Sequence, residues 1–423
     1  MHTLAYRIND ADNHYYEPDD CFTRHIESRF KARMDEQRVE ACLMLPTTGV
    51  GVEPQLRETP AVLYPSVRAF NRWLEEDWGS GRDGRIYGAA LLSLFDLQEA
   101  LTELERVLAC GARFVVLTAG PVSGRSPGDP YFDPFWARCD EAGVNVVYHI
   151  GRTPFSEMYN TPWGLRPHPP SHRHSLMEFA LSFTERPIVD TLTALIADNV
   201  FGRFPRLKVL SVEYGSSWVV PLLHKLDHIA RLYSKGMWRF GVPPLTPSET
   251  FRQHVWVAPF YEDDVVALAQ RIGPNHVLNG SDYPHPEGLA WPMEFVEELD
   301  GLSGADIRLV MRDNFGALVG GAQPLRERLQ KLPRDGAVPF DQRKHCVAFA
   351  EAESVFADEH ALFMSDPEHS EDEDRFLLLG LSSALRTLVV CHCFREREDL
   401  VRIISARKAA PSERSQYTRR WKR

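Results

Sequence analysis

The stretch GSDYPHPEG, residues 280–288, sets Asp282 and His285 among two prolines and two glycines, directly behind the apolar run HVLN. A carboxylate and an imidazole held at the mouth of a strand can bind a metal or move a proton. Turn formers alone would mark only a loop, so the reading depends on whether further ligands exist. The chain offers four more residues of the right kind in similar places. Asp12 and His14 stand two apart in DADNH, and in extended chain such residues share one side. His149 ends the run VNVVYH and Glu213 follows LKVLSV. Each alone is an ordinary cap or surface group. Gathered on one rim, three or four of the five residues Asp12, His14, His149, Glu213 and Asp282 would suit zinc, or another divalent ion such as manganese.

The elements that must position them are apolar, β-rich runs at 4–9, 39–46, 85–94, 112–119, 144–150, 207–214, 254–260 and 276–283. Between them lie segments such as LQEALTELERVLACG and YFDPFWARCDEAG, whose apolar residues recur at threes and fours and which end in glycine. Eight buried strands alternating with helices point to a (β/α)8 TIM barrel, which carries its chemistry at the C-terminal ends of the strands. A doubly wound sheet is the alternative. All five residues belong to such ends, on the first, fifth, sixth and eighth runs.

At 423 residues, the chain exceeds one ordinary core. Its 43% hydrophobic and 25% charged residues are those of a globular protein. No apolar run is long enough for a membrane helix, and the N-terminus lacks the order of a signal peptide. A cytoplasmic protein without membrane partners is therefore expected. The seven scattered cysteines form no disulfide framework. A net charge of -11 disfavours general nucleic-acid binding, but the charge is unevenly placed. Residues 358–374 hold eight acids and no Lys or Arg, whereas 402–423 hold eight bases and one acid. This segregation marks a separate module. The expected division is a barrel over 1–324, a linker over 325–336 and a C-terminal domain over 337–423.

DADNHYYEP, VVYHIG, VEYGSSWVVPLLHKLD and NGSDYPHPEG, in this order, resemble motifs of the amidohydrolase-related family that includes aminocarboxymuconate semialdehyde decarboxylase and the resorcylate-type decarboxylases. The resemblance spans about residues 5–320. It implies a distorted (β/α)8 barrel with one divalent metal, zinc or manganese, held by Asp12, His14, His149 and Asp282. The activity implied is hydrolysis or non-oxidative decarboxylation of a small cyclic or aromatic carboxylate. The family's usual His-Gly-Gly after the sixth strand is replaced by Glu213-Tyr214-Gly215. Glu213 is then the expected proton shuttle, with Asp282 as ligand or general base. The fourth run, ARFVVLTAG, contains no lysine that could bridge a second metal. The loop after the fifth strand offers Arg152, Trp163, Arg166, His168 and His172 as substrate contacts, and His285 joins them.

The tail resembles a BrnT-type toxin, the ribonuclease half of a toxin and antitoxin pair, over about residues 337–421. KHCVAF, HSEDEDRFLLLG and RIISARKAAPSER carry the likeness. It implies a small α+β RelE-like domain with RNA or an antitoxin-like protein as partner. Arg402, Arg407, Glu413, Arg414 and Tyr417 are residue types that hold a phosphate and move a proton. Cys346 stands where glycine is usual. The rival reading is a degenerate barrel whose working part is this tail. Homo-oligomerisation is compatible with either.

Overall fold

The computed structural model describes residues 7–15, 23–47, 49–151, 156–167, 169, 173–232 and 235–320, then 352, 355, 358, 361–365, 376–382, 386–395, 400–410, 413, 414 and 417. The chain divides into two compact units, 1–326 and 327–423.

In the first unit, parallel strands β1 (Ile8–Tyr15), β2 (Val39–Pro46) and β3 (Ile86–Gly88) form one sheet. A second contains β4 (Ala90–Leu91), β5 (Phe114–Leu117), β6 (Asn145–His149), β7 (Lys208–Val212) and β8 (Val255–Ala258). The third run expected from sequence is therefore split at Ala89. Ala89 N bonds Met44 O on one side and Leu92 N bonds Val116 O on the other, both at 3.0 Å, which stitches the sheets together. The eighth run is reduced to a few backbone bonds that close the circle. Leu278 N donates to Val257 O at 2.9 Å, and Ala11 N to Asn279 O at 2.6 Å. The barrel is complete and distorted.

Side-chain alternation decides what fills it. Leu43, Leu45, Val116, Val147, Leu210, Val212, Ala258 and Leu278 join one buried cluster, whereas their chain neighbours Met44, Val115, Val146, Val209, Val257 and Val277 join another. The first cluster lines the barrel and the second faces its helices, as the period of two requires. Phe315, from helix Asn314–Gly320, stacks on Phe114 with ring centroids 5.8 Å apart and plugs the interior. The helices follow the sequence pattern. Asp96 caps Leu97–Ala109 by accepting from Gln98 N and Glu99 N. Gly143, at φ +67, ends Asp133–Ala142 in the left-handed conformation. No helix among the described residues is long and apolar enough to cross a membrane.

The first strand departs from its expected span. It runs over Ile8–Tyr15 rather than 4–9, so Asp12 and His14 lie within it rather than after it. Its pairing with β2 shifts register between Asp10 and Asn13, a bulge in the motif itself.

In the second unit, β9 (Leu362–Ser365), β10 (Phe376–Leu381), β11 (Thr387–Arg395) and β12 (Leu400–Lys408) make an antiparallel sheet of order β12-β11-β10-β9. Leu378, Leu388, Val390 and Ala406 pack on one face with Ala352 and Val355. Leu379 and Val389 pack on the other with Ala409 and Tyr417. The runs FLLLG and TLVVCHCF thus supply both faces of a small core.

Candidate active site

His149 is the last residue of β6, two after the inward Val147, and its ring is nearly buried. Its Nδ1 lies 2.6 Å from the Ile150 carbonyl oxygen. A carbonyl only accepts, so Nδ1 carries the proton and donates. That tautomer leaves Nε2 to face the site, where it stands 2.7 Å from Glu213 Oε2.

Glu213 follows β7 with φ +60, a left-handed conformation that is costly for a residue with a Cβ. The turn breaks the alternation of the strand. Val212 points into the barrel, and Tyr214 packs with the outer cluster instead of the inner one. The Tyr214 hydroxyl donates to the His149 carbonyl at 3.0 Å, and burial pushes its pKa well above the ordinary phenol range. Asp263 fixes the same turn from the β8 side by accepting from Ser216 N at 2.6 Å, Ser216 Oγ at 3.0 Å and Phe260 N at 3.2 Å.

Asp282 is likewise left-handed, at φ +54. Its Oδ1 lies 2.7 Å from His285 Nδ1, and His285 Nε2 lies 3.4 Å from Thr47 Oγ1 after β2. Buried Asp10 on β1 accepts from Ser281 N at 3.0 Å and from Ser281 Oγ. The residue before Asp282 is thereby tied to the first strand.

Among the described residues, Glu213, Asp282 and His285 each offer a ligand atom within 4.8 Å of the others, and His149 touches this group through Glu213. Asp12 and His14 enter the same rim on the β1 backbone, next to the closing run at Asn279, and their side chains lie outside the described residues. Two carboxylates, an imidazole and a second imidazole with its Nε2 lone pair presented are a donor set that fits a divalent cation.

Of the expected substrate contacts, Arg152, His168 and His172 lie outside the described residues. Trp163 is 64% exposed, in a turn after helix Ser156–Asn160. Arg166 is committed to Glu178, with Nη2 to Oε2 at 2.7 Å. The loop walls a cleft of ≈ 420 Å³ together with the segment after β2, lined by Gln55, Arg57, Ser156, His174 and Phe183 among others. In the second unit, Arg407 is held by both oxygens of Glu413 at 2.8 Å, and buried Tyr417 donates to Asp358 Oδ2 at 2.7 Å. The Arg407 guanidinium holds the Glu413 carboxyl below its ordinary range. Arg414 is exposed, and the side chain of Arg402 on β12 lies outside the described residues.

Sequence reasoning missed Asp10 and Asp263. The first stands two residues before Asp12 in DAD and could have been singled out by that repeat. Nothing in the local sequence distinguishes the second from a solvated acid.

Residues 14–320 match the family model described as amidohydrolase, and residues 340–413 match that of the ribonuclease toxin BrnT of a type II toxin-antitoxin system. The crystal structure of an amidohydrolase from Mycobacterium avium subsp. paratuberculosis K-10 is 35% identical and superposes with a TM-score of 0.67, over 75% of this chain and 100% of that one. A dihydroxybenzoic acid decarboxylase from Polaromonas sp. JS666, with bound manganese and the inhibitor 2-nitroresorcinol, shares the fold at 16% identity and a TM-score of 0.56, over 75% of this chain and 98% of that one. The 2-amino-3-carboxymuconate-6-semialdehyde decarboxylase of Dictyostelium discoideum is 23% identical over 225 residues, 52% of this chain and 56% of that protein. The match thus spans little more than half the length of that relative. With the barrel closed and its polar residues gathered at one mouth, the chain belongs to the amidohydrolase family of metal-dependent hydrolases and carboxy-lyases, and it carries a BrnT-type domain over residues 340–413.

Proposed function

We propose that the barrel is a metal-dependent carboxy-lyase that removes CO2 from a small aromatic or cyclic carboxylate. The observation that carries this reading is the convergence of Glu213, Asp282 and His285 within 4.8 Å, with His149 against Glu213. The decarboxylases among the similar proteins support the choice of reaction. Asp12, His14, His149 and Asp282 would hold one divalent ion, zinc or manganese. When bound, such an ion polarises substrate oxygens and lowers the pKa of water toward ~7.

The chain's own residues do the rest. Glu213 holds the proton that the ring carbon takes up. As the bond to the carboxylate breaks, its electron pair stays on that carbon and CO2 leaves. The proton from Glu213 then completes the C–H bond, and water restores the carboxyl. His285, fixed by Asp282, contacts a substrate hydroxyl beside Thr47. Trp163, Arg152 and His168, which follow β6 in the sequence, are the residues proposed to contact the substrate.

The test is to load the full chain with manganese or zinc and assay 2,6-dihydroxybenzoate and related hydroxybenzoates for CO2 release. Release that disappears on chelation supports the reading. Metal-dependent cleavage of an amide, ester or lactone without CO2 release identifies a hydrolase instead.

For the tail we propose binding of an antitoxin-like protein or RNA, supported by its segregated acidic and basic runs. Arg402, Arg407, Glu413, Arg414 and Tyr417 are the residues proposed for the phosphate site. Degradation of RNA by the full chain, lost in Arg414→Ala, is the outcome expected of an active ribonuclease.

A further inference from the structure

The segment after β8 reaches across to the turn that carries Glu213, and it meets that turn with a single oxygen. Asp263 Oδ2 accepts from Ser216 N at 2.6 Å, from Ser216 Oγ at 3.0 Å and from Phe260 N at 3.2 Å. The two segments close on Gly215, where a Cβ would lie 2.8 Å from the Phe260 ring and 3.2 Å from the same Asp263 oxygen. From within the turn, buried Trp218 donates its indole N–H to the carbonyls of Tyr214 at 3.2 Å and Gly215 at 3.0 Å. Glu213 at φ +60 and Gly215 at φ +62 are both left-handed. For a residue with a Cβ, that conformation persists only where its surroundings over-determine it. Here it sets Glu213 Oε2 2.7 Å from His149 Nε2.

We propose that Asp263 is a positioning residue for proton transfer: by clasping the 213–216 turn it holds the Glu213 carboxyl beside His149, where the substrate's ring carbon takes up its proton. The inference rests on the carboxy-lyase reading, which assigns that proton to Glu213. Without the Oδ2 acceptor, the turn relaxes toward an ordinary negative φ and the Glu213 side chain leaves its place. A misplacement of ~1 Å can cost roughly 10²-fold in rate. None of the proposed metal ligands, Asp12, His14, His149 and Asp282, lies on this turn, so the ion's hold does not depend on the clasp. The charge of Asp263 is dispensable too. All three donors meet one oxygen, and an asparagine can present its carbonyl oxygen in the same place.

The test measures kcat and KM for CO2 release from 2,6-dihydroxybenzoate, together with metal content, in the metal-loaded full chain. Asp263→Ala should lower kcat by roughly ten-fold or more, with KM and metal content unchanged. Asp263→Asn should restore kcat to within about three-fold of the parent. In a Glu213→Gln background, Asp263→Ala should cost nothing further, because residues that serve one step do not add. An equal loss in both backgrounds marks a general structural role and overturns the inference alone, as does loss of metal or an Asn variant as slow as the Ala variant. If Asp263→Ala does not fold, Ser216→Ala replaces it, since it removes only the Oγ donor. Its loss should be about three-fold and should likewise vanish beside Glu213→Gln. Absence of CO2 release by the parent overturns the carboxy-lyase reading and this inference with it.

Discussion

At the scale of single residues, two side chains carry most of the functional argument, and each has its own test. Asp282 is strained at φ +54 and held against His285. Asp282→Asn is nearly isosteric but removes a ligand charge, so metal content and activity should both be lost while the barrel stays folded. Retained metal and full activity in that variant would reduce GSDYPHPEG to a turn. Glu213→Gln separates two roles. If Glu213 moves the proton, turnover should fall by roughly 10²-fold or more with metal content unchanged. Loss of metal instead would make Glu213 a brace for His149. The residue types of the site are legible in the sequence because motifs spaced along the chain share one barrel rim. The left-handed turns are not legible there, since a glutamate or aspartate at positive φ is chosen by its surroundings and leaves no local signature.

At the scale of elements, the closing of the barrel depends on a few polar anchors rather than on a long eighth strand. Asp10 accepts twice from Ser281, and Asn279 Nδ2 donates to Asn9 O at 3.2 Å. Asp10→Asn keeps one acceptor oxygen but turns an amide N–H toward the other donor, so a destabilisation of about 1–3 kcal/mol is expected, with weaker metal retention. Denaturant unfolding and metal analysis of the variant check both. His254 and His276, at the starts of β8 and the closing run, are buried, with Nδ1 bonded to Leu207 O at 2.8 Å and Val255 O at 3.0 Å. Burial lowers both pKa values from 6.5. The unfolded chain then binds more protons, so their contribution to stability is present above pH 6.5 and is lost as the pH falls below it. The stability gap between the parent and His276→Gln should therefore shrink from pH 7.5 to pH 5. An unchanged gap would contradict this. The parallel strands are readable as unbroken apolar runs. The split at Ala89 and the shift of β1 onto its own motif are not, because pairing partners decide them.

At the scale of the whole molecule, the barrel's cores and the small sheet's cores are separate sets of residues. Truncation after Pro333 should leave metal content and catalysis intact, and the isolated tail should unfold cooperatively; an insoluble barrel fragment would refute that independence. The tail's apolar runs and charge blocks mark a second module, whereas the pairing of Arg407 with Glu413 and of Tyr417 with Asp358 arises only in the folded sheet. The central claim is that the barrel mouth breaks a carbon–carbon bond and returns a proton to the ring. Its most direct test is to run the metal-loaded full chain with 2,6-dihydroxybenzoate in heavy water and locate deuterium by NMR. The account requires one deuterium at the carbon that bore the carboxylate for each CO2 released, with both signals lost on chelation. CO2 release that persists after chelation, or a substrate recovered unchanged while an ester or lactone is cleaved at the same site, would contradict it.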